Sequence, residues 1–255
     1  MAIEIHQFVC LDDNYGVLIH DSRTGETVSI DSPDAEIIEA ELQARSWRLT
    51  HIWTTHHHAD HTGGHLELKA RHHCLIIGPR AEAAKIPGLD QAVGEGDSFQ
   101  FGGGEVRVLD TPGHTLGHIA YWLPHAEVAF VGDTLFALGC GRVFEGTHDM
   151  MWGSLAKLAA LPPPTRVYCG HEYTQSNARF ARTIEPDNTD LRDRIAEIDA
   201  LRSLGKPTIP TTIARELATN PFVRAGLPAV KAALGLSGAD DWQVFSEIRS
   251  RKDRA

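Results

Sequence analysis

The sequence predicts an α+β chain: strands and helices alternate up to about residue 172, and an all-helical appendage covers 173–255. Three observations predict it. Short β-branched and aromatic stretches recur between turn signals, as at Leu49–Trp53, Ile119–Leu123 and Val128–Val131. Several of these strands close on a tight turn followed at once by His or Asp. After Tyr173 the texture changes, with Leu191, Ile195, Ile198 and Leu201 forming an apolar stripe at helical spacing.

In chain order, Ile3–Ile5 and Gly16–Ile19 read as strands, with Asp12-Asp13-Asn14 turning between them. Ser22–Gly25 is a hairpin turn, Glu26–Ile30 the returning strand, and Asp31-Ser32-Pro33 its end. Asp34–Arg45 is a helix with Ile37, Ile38 and Leu42 on one side. Gly64–Ala70 is a second helix and Leu75–Ile77 a short strand. Residues 94–104 are turn-rich, and Glu105–Leu109 is the next strand. Met151–Ala160 is a helix stopped by Pro162-Pro163-Pro164, and Arg166–Cys169 is the last strand. Further helices are expected near 212–218, 227–234 and 240–252.

Composition narrows the function. The 255 residues suit one large domain or one domain with an appendage. A net charge of −10, from 24 basic and 34 acidic residues, argues against nucleic-acid or anionic-membrane partners. No apolar run is long enough to span a bilayer, and the segment from Met1 to His6 lacks the pattern of a signal peptide. Cys10, Cys74, Cys140 and Cys169 form no C-x-x-C, which fits a reduced cytoplasmic protein with buried thiols.

The chemistry concentrates in Thr54–Gly64, where His56, His58, Asp60 and His61 have the spacing H-x-H-x-D-H. They lie where a strand ends and a helix begins, as sites in open α/β sheets often do. On an extended loop His56 and His58 project to the same side, while Asp60 and His61 do not. Three later strand ends add His114 after Asp110–Gly113, Asp133 after Gly132, and His171 after Gly170. Dividing these residues puts His56, His58 and His114 on one ion and Asp60, His61 and His171 on a second, with Asp133 between. Three protein ligands at each ion leave a position open, the mark of a catalytic rather than structural zinc site. His118 reads as a hydrogen-bonding turn residue. His57 is expected beside the ligands, and His65, His72 and His73 on the helix surface or in structural roles.

These motifs carry a resemblance. Thr54–Gly64, Thr111–Thr115, Gly132–Phe136 and Cys169–Thr174 are similar to the metallo-β-lactamase superfamily. Together with Ala137–Arg142 and Asn220-Pro221-Phe222 they resemble its hydroxyacylglutathione hydrolase (glyoxalase II) family. The resemblance implies an αββα metallo-β-lactamase-like sandwich over residues 1–172 and a helical substrate-binding domain over 173–255. It implies two divalent ions per chain, zinc by expectation, although iron or manganese suits the same ligands. It implies hydrolysis of S-(2-hydroxyacyl)glutathione, S-D-lactoylglutathione in particular, to D-lactate and glutathione, the second step of methylglyoxal detoxification. Asp60 and Asp133 would orient the metal-bound nucleophile. Arg142, Phe144, Tyr173, Arg249 and Lys252 fall where the family contacts glutathione. The family often has lysine and tyrosine where this chain has Arg142 and Phe144, which changes one donor's geometry and removes one hydroxyl. Without the resemblance, Arg249 and Lys252 read as ordinary cations at a helix C-terminus, and Tyr173 as a packing residue. The chain is expected to act as a cytoplasmic monomer. The alternatives are a lactonase, a β-lactamase, a persulfide dioxygenase or a non-catalytic thiol-conjugate binder.

Overall fold

The computed structural model describes residues 3–255. Met1 and Ala2, which open both the first expected domain and the segment read for a targeting signal, lie outside the described residues. The chain divides into two compact units. The first runs up to Asp110 and resumes over Gly117–Gly132; the second takes Thr111–Leu116 and Asp133–Ala255.

The first unit holds β1 (Ile3–Cys10), β2 (Asn14–Asp21), β3 (Glu26–Ile30), α1 (Ala35–Arg45), β4 (His51–Trp53), α2 (Ala59–Thr62) and α3 (His65–His72). It continues through β5 (Leu75–Pro79), β6 (Gln91–Val93), β7 (Ser98–Phe101), β8 (Gly104–Asp110), β9 (Ile119–Leu123) and β10 (Val128–Phe130). Strands β1 to β6 form one sheet in sequence order. The first three are antiparallel; β3 to β6 are parallel, with Ile30, Trp53 and Ile77 aligned across three of them. In the second layer the order is β10-β9-β8-β7, antiparallel throughout.

Aromatic side chains join the two layers. Trp53 meets Phe99 and Phe101 edge-on at 5.1 and 5.2 Å between ring centroids, and the Tyr121 hydroxyl donates to Thr54 O at 2.8 Å. On the other face of the first sheet, Ile38, Leu42 and Leu68 of α1 and α3 bury against Ile52 and Ile76. Asp34 precedes α1 as its N-cap, accepting Ile37 N at 2.9 Å. The turn-rich reading of 94–104 is corrected: Ser98–Phe101 is a strand, because Phe99 and Phe101 alternate onto Trp53 despite the flanking glycines.

The second unit holds β11 (Leu135–Phe136), β12 (Gly139–Cys140), α4 (His148–Ala159), β13 (Arg166–Tyr168), α5 (Thr174–Ile184), α6 (Thr189–Ser203), β14 (Thr211–Thr212), α7 (Ile213–Thr219), α8 (Pro228–Ala233) and α9 (Asp241–Asp253). α4 starts earlier than expected, because Thr147 caps it and accepts Met150 N at 3.2 Å. The all-helical reading of 173–255 is corrected at one point. The β-branched pair Thr211–Thr212 forms β14, antiparallel to β13. The helices share a core in which Leu191 and Ile198 of α6 pack on Ala178 and Ala181. Phe222 stacks on Phe180 and meets Phe245. Among the described residues, no helix is long and apolar enough to cross a membrane.

Candidate metal centre

Both units carry part of the expected ligand set. In the first, β4 delivers the chain to Thr54, whose N–H donates to Ile77 O at 2.8 Å, and the next residues leave the sheet. Asp31, at the end of the neighbouring β3, organises this ligand loop. It lies in the left-handed region at φ 54°, and its buried carboxylate accepts Thr55 N at 2.7 Å, the Thr55 hydroxyl at 2.9 Å and His61 Nδ1 at 2.9 Å. A carboxylate can only accept, so His61 carries its proton on Nδ1 and presents the Nε2 lone pair. The Thr55 hydroxyl has spent its one hydrogen on Asp31, so it accepts from His56 Nδ1 at 3.0 Å. That bond fixes the His56 tautomer in the same way.

His56 Nε2 then lies 3.1 Å from His58 Nδ1, and His61 Nε2 lies 3.5 Å from an Asp60 oxygen. Asn14 Nδ2 donates to that carboxylate at 3.1 Å. His57 lies edge-on to His58 at 5.0 Å, its N–H and Nδ1 both contact Glu82 Oε2, at 2.8 and 2.9 Å, and Gly117 N donates to the other Glu82 oxygen at 3.0 Å. His118 is buried and stacks on His56 at 4.8 Å. Its neighbour across the turn is Gly132, where a Cβ would come within 2.7 Å of His118 Nε2. His65 is buried under Thr54, and burial lowers its pKa to about 4, so it is neutral. His72 pairs with Glu39, and His73 ends α3 in the left-handed conformation.

In the second unit, Gly113 adopts φ 144°, and a Cβ there would meet Met151 at 2.7 Å. His114 Nδ1 donates to Arg142 O at 2.8 Å, leaving Nε2 as the ligand atom. One Asp133 oxygen lies 3.5 Å from His114 Nε2 and 3.3 Å from His171 Nε2. Gly141 permits this approach, since a Cβ would fall 1.9 Å from Asp133 O.

These separations can be tested against a metal. Ligand atoms on a tetrahedral zinc at about 2.0–2.1 Å stand roughly 3.3 Å apart. The four distances, 3.1 to 3.5 Å, match that edge. One pair is two imidazole nitrogens and the other three set an imidazole nitrogen against a carboxylate oxygen, and three of the imidazoles are held by a hydrogen bond at Nδ1. The His/Asp clusters suit a divalent metal.

The five residues expected at the substrate all belong to the second unit. Phe144 is exposed and edge-on to His114, with the Arg142 guanidinium 5.8 Å from its ring. Tyr173 stacks flat on His171 at 4.8 Å and 3°. Lys252 sits over the Phe180 ring and donates to Ser176. Burial, then Arg249 and Arg179, hold its amine below the usual lysine pKa. Arg249 is buried at 5% exposure, bonded to Cys140 O and Asp253.

Sequence reasoning missed Asp31, Thr55, Asn14 and Glu82. No local pattern marks Asp31; the parallel register that sets Ile30 beside Trp53 places the end of β3 next to the ligand loop.

Comparison with known proteins identifies the family. Residues 27–171 match the profile of the metallo-beta-lactamase superfamily, and residues 172–255 match that of the hydroxyacylglutathione hydrolase C-terminus. The hydroxyacylglutathione hydrolase of Hyphomonas neptunium is 54% identical over 100% of this chain and 99% of its own. That of Brucella anthropi is 57% identical over 98% and 96%. Among solved structures, ETHE1 from Myxococcus xanthus superposes with a TM-score of 0.68 at 27% identity, covering 97% of this chain and 90% of its own. The BLEG-1 B3 metallo-beta-lactamase, 21% identical, shares the fold with a TM-score of 0.65 over 86% of this chain and 99% of its own.

Proposed function

The chain belongs to the hydroxyacylglutathione hydrolase family of the metallo-β-lactamase superfamily, and from that premise we propose that it cleaves S-(2-hydroxyacyl)glutathione to a 2-hydroxy acid and glutathione. S-D-lactoylglutathione is the proposed substrate. The observation that carries the reading is the Asp133 carboxylate, one oxygen of which faces the Nε2 atoms of both His114 and His171. A buried carboxylate so placed is suited to share two ions.

In this proposal His56, His58, His114 and Asp133 would hold one ion, and Asp60, His61, Asp133 and His171 the other. Bound divalent ions supply Lewis acidity and water that ionises near pH 7. Asp60 and Asp133 orient the attacking water toward the thioester carbonyl. Thr55, Asp31 and Arg142 O keep the three imidazoles in the ligating tautomer. The departing thiolate has a conjugate acid of pKa about 8.5, so no strong general acid is needed.

Substrate binding is assigned to residues 173–255 together with Arg142 and Phe144. Tyr173 and Phe144 offer aromatic walls beside His171 and His114. Lys252, Arg249 and Arg179 gather positive charge in an acidic protein, as the two carboxylates of glutathione require. All four cysteines are buried and unpaired with one another, which supports a reducing compartment.

Thiol release from S-D-lactoylglutathione tests the function, with and without chelator and with zinc restored. The expected result is chelator-sensitive hydrolysis that exceeds cleavage of a lactone or a β-lactam by kcat/KM. A lactone or β-lactam preferred by that measure would overturn the assignment.

A further inference from the structure

Of two stretches distinctive in the sequence, Ala137–Arg142 and Asn220-Pro221-Phe222, only Arg142 has a place in the reaction described, yet the two meet within the second unit. The β11–β12 hairpin links Asp133, two residues before it, to Arg142, two residues after it. Side chains from the helices take up its backbone groups. Asn220 Nδ2 donates to Phe136 O at 3.2 Å and to Gly139 O at 2.9 Å. Leu138 N donates to Glu216 at 2.9 Å. Asn177 Nδ2 donates to Ala137 O at 3.1 Å, and Arg249 to Cys140 O at 3.1 Å.

The turn itself is unfavourable. Leu138 has φ 58°, a region that disfavours residues with a Cβ, and its side chain is buried among Ala178, Ala181, Leu191 and Ile198. Gly139 has no Cβ because Asn177 fills that space, within 2.4 Å of where one would stand. Asn220 is fully buried, and its amide also donates to Glu216 at 2.9 Å. Glu216 is in turn balanced by buried Arg194 at 2.5 Å. Buried ion pairs add little net stability, so one kept behind a strained turn suggests a role in fixing geometry.

We infer that Asn220, backed by Glu216, is a positioning residue for the metal centre. It sets the hairpin, and the hairpin sets the Asp133 carboxylate at one end and the Arg142 carbonyl that orients His114 at the other. The inference rests on the proposed role of Asp133 and His114 as ligands.

The test uses the full-length holoenzyme with Asn220→Ala. Asn188→Ala serves as a control: Asn188 caps α6 and bonds Ala218 O, so its loss costs stability without touching the hairpin. The readouts are zinc affinity by chelator competition, the absorption spectrum of the cobalt-substituted protein, and kcat and KM for S-D-lactoylglutathione. Asn220→Ala should weaken zinc binding by about ten-fold and lower kcat by a similar factor. It should shift the cobalt bands and leave KM within about two-fold, while Asn188→Ala keeps the wild-type zinc affinity and spectrum. Folded Asn220→Ala with wild-type zinc affinity and cobalt spectrum overturns the inference, as does an equal shift in Asn188→Ala. Should Asn220→Ala fail to fold, Asn177→Ala decides by the same readouts: a shift in the same direction supports the inference and wild-type values overturn it. A wild-type protein that binds neither zinc nor cobalt overturns the metal reading instead.

Discussion

Asp31 Oδ2 accepts the Nδ1–H of His61 at 2.9 Å, and the same oxygen accepts the Thr55 hydroxyl, also at 2.9 Å. One carboxylate therefore fixes the tautomer of His61 directly and that of His56 through Thr55. Asn at this position offers one acceptor and one donor in place of two acceptors. A donor would then face Thr55 or His61, and the favoured escape for His61 is to move its proton to Nε2, the ligating atom. Asp31→Asn should keep the fold, since asparagine tolerates the left-handed backbone there. It should weaken zinc binding by roughly 10- to 100-fold. Chelator competition giving an affinity within two-fold of wild type would show that the bond does not control the ligand.

The proposed second ion depends on Asp133. Asp133→Asn keeps the shape of the side chain and removes the charge that two ions would share. We expect kcat to fall by at least about 100-fold, near 2.7 kcal/mol, with the unfolding transition preserved. Metal analysis of the wild-type protein should find two ions per chain. At most one ion in fully loaded, active protein would end the two-ion mechanism.

The ligands were legible because metal binding needs several scarce residue types close together, and here they recur at strand ends: His56–His61, His114, Asp133 and His171. What supports them was not. Asp31 precedes Ser32-Pro33 and has the composition of an ordinary turn; its role comes from the parallel register of β3 on β4, which no local pattern specifies. Glu82 sits in a short helical turn and reads as surface charge, yet it is 3% exposed because His57 and Gly117 bond to it. The two-residue strands β11 and β12 are too short for any period to register, and side chains distant in the chain hold the turn. The fold class was readable from strand and helix texture. The exceptions are Ser98–Phe101, hidden among flanking glycines although it pairs with the strand that follows, and Thr211–Thr212, whose partner Arg166–Tyr168 lies elsewhere in the chain.

His65 supplies a stability prediction. Burial lowers its pKa from 6.5 to about 4, so the unfolded chain binds a proton between those values that the folded chain does not. Stability is complete above pH 6.5 and is lost as pH falls toward 4. The loss amounts to about 2 kcal/mol at pH 5, relative to neutral pH. Comparing metal-free wild type with His65→Gln by urea unfolding at pH 7 and pH 5 isolates this share, because the ligand histidines titrate in both. An equal drop in the two proteins would show that His65 does not stay neutral in the fold.

Arg249 and Lys252 lie three residues apart on α9, a spacing that suggests one cationic face working as a unit. The structure separates their roles. Arg249 donates to Cys140 O at 3.1 Å and Asp253 at 2.8 Å and lies 5.3 Å from the Phe222 ring centroid, so its removal leaves a carbonyl and a carboxylate without that partner. Lys252 bonds to Ser176 at 3.3 Å, over Phe180, and its lowered pKa marks an amine crowded by Arg249 and Arg179 after burial. An anionic substrate relieves that crowding. Lys252→Ala should raise KM for the glutathione thioester several-fold, about 1 kcal/mol, with kcat and thermal stability unchanged. Arg249→Ala should raise KM as well and also cost about 2 kcal/mol of stability through the groups it strands. The Lys252 effect should shrink at high salt, where screening already weakens the wild-type contact. Its pH dependence has a fixed sign. The amine loses its charge as pH rises through a pKa below the ordinary lysine value, so wild-type KM climbs on the alkaline side, and Lys252→Ala lacks that limb. A wild-type KM at low salt in a variant carrying both Arg249→Ala and Lys252→Ala would retire the proposed role of both cations and leave Arg249 with its structural one.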